Sequence, residues 1–172
     1  VLLPEFPSER TPRVTSSSRR ENSVKLTLTK RGEYGIRMLL HLASLPAGRR
    51  LTAGDLADAC EIPAGNVPTI VNVLSRAGIL LCSPGRGGGC ELARPPAEIS
   101  MLHIIEALEG SLEISRCLLD SRRCHDRDPE CAVHHAWSEG RDAAIGALAE
   151  TTLADTVRRE RQIARQLART TR

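Results

Sequence analysis

Three cysteines, Cys117, Cys124 and Cys131, recur at intervals of seven residues, and His134 follows the last of them after two intervening residues. Thiolate and imidazole hold soft and borderline metal ions, so Cys-x6-Cys-x6-Cys-x2-His is a donor set for iron-sulfur or zinc chemistry. The spacing separates two geometries. On a continuous helix successive sulfurs would share one face about 10.5 Å apart in rise, too far to meet at one metal. The surrounding run SRCLLDSRRCHDRDPEC carries a charge at about half of its positions and contains Pro129, so it is expected to be a loop that folds back and lets the thiols converge. His125 and His135 lie close enough in sequence to compete with His134 for the fourth position. The tight C-x-x-C pairs common in structural zinc sites are missing, which shifts the balance toward a cluster.

The remaining thiols read differently. Cys60 falls on the apolar face of a short helical pattern and Cys82 in an apolar run, so both are expected in the core, whereas Cys90 fits either role. The opening VLLPEFPSERTPRVTSSSRRENS lacks the long apolar run of a secretory signal, so the six cysteines are expected to be cytosolic thiols rather than a disulfide framework. The Gly-rich stretch GRGGG lacks the GxxxxGK[ST] spacing of a nucleotide-binding loop. No His and acidic residue stand in an evident triad with a thiol, which argues against an enzyme with a catalytic cysteine.

Composition bounds the rest. The 172 residues suit one core plus a helical extension; 41% are apolar, 26% charged and only 2% aromatic, so the core must be aliphatic. With Phe6, Tyr34 and Trp137 as the whole aromatic set, base stacking on aromatic platforms is excluded as a binding mode. No window approaches the roughly 20 apolar residues of a membrane span, and a soluble, cytoplasmic protein is expected. The net charge of +3 hides a segregation: residues 1–96 carry 13 Lys/Arg against 8 Asp/Glu, 97–155 carry 5 against 12, and 156–172 carry 6 against 1. A basic first half is what a polyanion-binding module would show.

The elements that must position these groups follow from periodicity. Residues 1–24, rich in Pro, Ser and Arg, are expected to be a disordered tail, with the biological start near Val24. A helix capped by Thr29 runs to Ser44, and Thr52 caps a second through Cys60. A third spans about 64–77, with Val67, Ile70, Val71 and Leu74 inward and Gly78 as its C-terminal cap. Residues 79–94 read as a hairpin, or wing, with Arg86 at its Gly-rich tip. Together, 25–96 form a winged helix-turn-helix unit, 97–131 a helix followed by the cysteine loop, and 132–168 one long helix that needs a second copy to cover it. The fold class is thus mainly α with a small β-wing. DNA reading is expected from Asn66, Thr69 and Asn72, with Arg76 and Arg86 toward phosphate or groove edges and Thr52 beside them.

The stretches LTLTKRGEYGIRMLLHLA (26–43), LTAGDLADACEIPAGNVPTIVNVLSRAGIL (51–80), SPGRGGGCELA (83–93) and ISMLHIIEALEG (99–110), with the three-cysteine loop, resemble the IscR/NsrR-type regulators of the Rrf-two family. These are bacterial winged-helix repressors that sense through iron-sulfur clusters. The resemblance covers about residues 25–160. It implies a homodimer on a double-stranded DNA operator, each subunit placing its third helix in a major groove, with Cys117, Cys124 and Cys131 as cluster ligands. The fourth ligand is either His134 or, from the partner subunit, the acidic residue matching Glu33. Each gap between cysteines is one residue longer than in the family, and Cys90 replaces the aromatic that normally ends the wing. The choice between a 2Fe-2S and a 4Fe-4S cluster therefore stays open. A zinc-stabilised or cluster-free DNA-binding dimer answering to a metabolite or partner protein is the alternative.

Overall fold

The computed structural model of the chain describes residues 28–85, 87–112 and 133–170. Along them run α1 (Lys30–Ser44), α2 (Ala53–Cys60), a 3-10 turn (Ala64–Asn66) leading into α3 (Val67–Arg76), strands β1 (Leu80–Ser83) and β2 (Gly89–Leu92), a second 3-10 turn (Pro96–Glu98), α4 (Met101–Glu109), α5 (His134–Glu150) and α6 (Leu153–Thr170). Mainly helical with one antiparallel hairpin, this is the fold class that the sequence predicts. The expected tail over 1–24, Arg86 and the three-cysteine loop lie outside the described residues.

Local chemistry sets the helix starts. Thr29 accepts from the Gly32 amide and Thr52 from the Asp55 amide, while the Asp55 carboxylate returns a bond to the Thr52 amide. That reciprocal box satisfies two of the donors a helix start leaves open. The Asp55 carboxyl is held below the usual carboxylate range, chiefly by the Thr52 hydroxyl. At the other end of α3, Gly78 takes φ +67, and the amides of Gly78 and Ile79 donate back to the carbonyls of Ser75 and Leu74. This glycine-closed end turns the chain from α3 straight into β1.

The core is aliphatic, as the composition requires. Met38 and Leu39 of α1, Leu56 of α2, Ile70 and Leu74 of α3, Ile104 and Leu108 of α4 and Leu153 of α6 join Ile79 and Ile99 in one fully buried cluster. Helices α1, α3 and α4 pack against one another in pairs, and α4 also meets α5. Cys60 is buried, as expected, and burial pushes its thiol up.

Two expectations are corrected. The single helix over 132–168 is two helices, because the chain leaves helical geometry at Thr151 and Thr152. Here the Met101 amide donates to the Thr151 carbonyl and the Leu153 amide to the Ile99 carbonyl, so the break is an extended contact with the start of α4. A second box, Thr152 with Asp155, then restarts the helix, and Leu153 is buried by the join. The second correction concerns Cys82 and Cys90, expected to be free thiols with Cys82 in the core; they are joined by a disulfide. Register brings them together: the hairpin pairs Cys82 directly with Cys90.

The wing is also fixed to the chain before α2. Leu51 and Cys90 exchange both backbone hydrogen bonds, and Arg50 reaches Glu91 at 2.6 Å. Gly89 makes this approach feasible: its φ is +133, and an added Cβ would lie 2.7 Å from the Leu51 carbonyl oxygen. Gly89→Ala is therefore expected to destabilise the fold by about 1–3 kcal/mol, read as a lowered thermal midpoint. An unchanged midpoint would show that the Leu51 backbone does not constrain this position.

Candidate nucleic-acid interface

Helix α3 has two faces. Val67, Ile70 and Leu74 are buried, and Pro68, Thr69, Asn72 and Arg76 stand exposed on the opposite side, following Asn66 in the preceding 3-10 turn. Pro68 sits in the first turn, where its missing amide leaves no hydrogen bond unmade. Thr69, Asn72 and Arg76 are spaced three and four residues apart, so they form one stripe along the helix. The structure thus gathers four of the six residues expected to face DNA. Thr52 is exposed, but its hydroxyl is engaged by Asp55, accepting from the amide and donating to the carboxylate. Arg86 lies outside the described residues.

Two basic side chains escaped the sequence reading. Lys30 and Arg31, with Tyr34, line a shallow cleft of about 130 Å³ together with Asn66, Thr69 and Ile70. The start of α1 is thereby set beside the start of α3. The KR pair directly after the Thr29 cap is visible in the sequence; its nearness to α3 comes from packing. Lys30 and Arg37 both stand over the Tyr34 ring, 5.9 and 6.0 Å from its centre.

Glu33 belongs to the same helix end. Its carboxylate accepts from Lys30 at 2.8 Å and from Arg37 at 2.7 Å, and the Lys30 hydrogen bond is the main cause that holds its carboxyl below the usual range. Of the other predicted ligands, His134 is the first residue of α5, half-buried, and Cys117, Cys124 and Cys131 lie outside the described residues together with His125. His135 is exposed and faces Glu139 at 3.6 Å. Trp137, one turn beyond His134, has a buried indole N–H without an acceptor among the described residues. No three of His, Cys, Asp and Glu converge on a metal position among the described residues, and no helix there is long and apolar enough to cross a membrane.

A capped helix pair, an exposed stripe on the second helix and a Gly-rich hairpin beside it define a winged-helix DNA-binding regulator. The model of the Rrf2 family, described as iron-dependent transcriptional regulators, matches residues 28–159. The chain belongs to that family. Among solved structures, it is similar to CymR (YrzC), the global cysteine regulator of B. subtilis, with 26% identity, a TM-score of 0.65, and coverage of 77% of this chain and 97% of the other. CymR of Staphylococcus aureus matches with 26% identity and a TM-score of 0.57 over 75% of this chain and 96% of that one. T. potens IscR matches with 24% identity and a TM-score of 0.62, over 78% and 88%, a likeness of fold.

The Glu33 geometry fixes a pH response. Because the folded carboxyl is depressed, its contribution to stability is complete above the unfolded value, near 4.5, and is lost as pH falls through the lower folded value. A carbon-detected NMR titration should place the Glu33 midpoint below 4.5, and Lys30→Ala should raise it. A midpoint indifferent to Lys30→Ala contradicts the pairing.

Proposed function

We propose that this family member is a cytoplasmic, homodimeric transcriptional regulator, not an enzyme, that couples DNA binding to redox, nitric oxide or iron-sulfur status through a cluster held by Cys117, Cys124 and Cys131. What carries the reading is the place of the cysteine segment in the chain. It joins α4 to α5, and α4 packs against α3, the helix with the exposed stripe. A change of state in the segment is then one packed element away from the DNA-facing surface.

The donor chemistry fits such a group. Three thiolates suit iron-sulfur ligation, and His134 follows at the head of α5. The fourth ligand is His134 or the partner subunit's Glu33, whose carboxylate in this chain accepts from Lys30 and Arg37. The indole N–H of Trp137, on the same side of α5 as His134 and without an acceptor among the described residues, is a donor suited to a thiolate or sulfide. When bound, the cluster would supply a centre whose oxidation, nitrosylation or loss alters how the segment is tethered.

DNA contact falls to residues of this chain. Asn72 and Thr69 read base edges, Asn66 works at the helix start, and Arg76, Arg31, Lys30 and Arg86 engage phosphate or groove edges. The second copy is held through α6, which is about 27 Å long and leaves Ile163 and Leu167 44% and 63% exposed beyond its buried Leu153 and Val157. Two reading heads must match half-sites about 34 Å apart, so a small change in their relative position costs affinity.

A second reading, a cluster-free or zinc-stabilised dimer answering to a metabolite or partner protein, is favoured by the likeness to a cysteine regulator. Anaerobically purified protein is expected to contain iron and acid-labile sulfide, to absorb visible light, and to lose most of both in Cys124→Ala. Colourless, iron-free protein would establish the second reading instead. On DNA, Asn72→Ala should cost about 1–3 kcal/mol of base discrimination, and Arg31→Ala should weaken all duplexes alike while lowering the salt slope by about one. Uniform weakening by Asn72→Ala removes it from base reading.

A further inference from the structure

The wing holds a second pair of thiols, independent of the three-cysteine segment. Cys90 spends both its amide and its carbonyl on Leu51, on the side of β2 away from β1. Its pairing with Cys82 across the hairpin is therefore of the non-hydrogen-bonded kind, the kind that brings opposed residues closest in an antiparallel pair. The Cα atoms are 4.1 Å apart, and the two side chains point to the same face of the hairpin.

We infer that Cys82 and Cys90 form a reversible dithiol–disulfide couple that fastens the wing just below its tip and exchanges with low-molecular-weight disulfides. Access orders the chemistry. Cys90 is only 6% exposed and Cys82 is half-buried, so an incoming reagent meets Cys82 first. In the oxidising direction the Cys82 thiol gives up its proton and attacks one sulfur of RS–SR, expelling RS⁻, which takes up a proton. Cys90 then loses its proton and attacks the Cys82 sulfur of the mixed disulfide, releasing the second RS⁻. The two cysteines give up two electrons and two protons, and one RS–SR becomes two RSH. Reduction is the same path reversed, with thiolate attacking at Cys82. Cys60 is no competitor, being enclosed in the core.

The position gives the couple a use. The bond closes a ring around SPGRGGG, the wing tip, whose glycines place few constraints of their own on the backbone. Cys82 also touches the reading helix: the Ser75 hydroxyl lies 3.6 Å from its sulfur, one residue before Arg76. The oxidised wing is thus fixed below its tip next to α3, and the reduced wing keeps the strand pairing, the Leu51 bridge and the contacts of Arg50 with Glu91 and Ser83. A tip held ready for DNA binds with less ordering cost. Oxidation should tighten DNA binding by about three- to tenfold.

The test uses the full chain in glutathione buffers of graded ratio. Differential alkylation with peptide mass spectrometry should show Cys82 and Cys90 linked at oxidising ratios and freed at reducing ones. A pair that never links, or one that no thiol reduces, overturns the couple. Affinity is then compared for a duplex that the protein itself selects from a random-sequence pool. Oxidised wild type should bind more tightly than reduced, and in Cys82→Ser and the apolar Cys90→Val this difference should fall by the wing's share, about three- to tenfold. Equal affinities for oxidised and reduced wild type overturn the wing's role, as does a redox response that is undiminished in Cys82→Ser, which would belong wholly to the thiols at 117–131. Colourless protein, which sinks the cluster reading, leaves this couple untouched.

Discussion

The exposed stripe of α3 and the basic start of α1 are both positioned by aliphatic packing around α4. Ile104 and Leu108 are fully buried in one cluster with Ile70 and Leu74 of α3 and Met38 and Leu39 of α1. Aliphatic cores are close-packed and deform little, so the three helices hold fixed relative positions. The stripe of Thr69, Asn72 and Arg76 points outward because its helix has committed the other face to that cluster. The basic start of α1 comes alongside for the same reason, and the Thr29 hydroxyl and amide reinforce it by donating to Glu109 at the end of α4. Each fully buried side chain contributes roughly 1.5–3 kcal/mol, far more than the ion pairs of Glu33, which solvent screens.

What the sequence made legible was what neighbouring residues decide. Thr29 and Thr52 cap their helices as their types and spacing predict, Gly78 closes α3, and the exposed stripe lies opposite Ile70 and Leu74, because each depends on residues within one helical turn. The break between α5 and α6 was harder to see. Thr152-x-x-Asp155 carries the same capping signature as Thr52-x-x-Asp55, but it sits in an Ala- and Leu-rich run whose propensity is continuous. The deciding contact, Thr151 and Leu153 with Met101 and Ile99, joins segments some fifty residues apart in sequence. The same limit applies to Lys30 and Arg31, whose nearness to Asn66 is a product of packing. The partnership of Cys82 with Cys90 depended on hairpin register, which a loop of several glycines does not announce. The three-cysteine loop was legible as donor chemistry alone, since ligand types and spacing are read directly from the chain while convergence is not.

The division of α5 from α6 also bears on how a sensor of this kind would act. A single rigid helix of nearly forty residues would tie the dimer contact directly to the cysteine segment. Instead the chain re-enters the core at Leu153, where its backbone is bonded to the start of α4. Helix α6 is therefore anchored to the same packed unit as α3, through its own contacts with α1 and the 3-10 turn before α4. Helix α5, which buries no residue completely among those described, is held mainly by its packing on α4. Of the two, α5 is the element with less to lose by shifting, since sparse burial marks the low-stability end of a structure. Under the proposed reading, a tether that tightens or releases between Cys117 and Cys131 acts on α5 and α4 first. Because α3 and α6 belong to one packed unit, each reading helix then moves together with its own α6, and the change falls on how the units of the two copies sit relative to each other. Since DNA affinity is the product of two linked half-site contacts, a displacement that spoils the spacing of both heads is multiplied in the dimer.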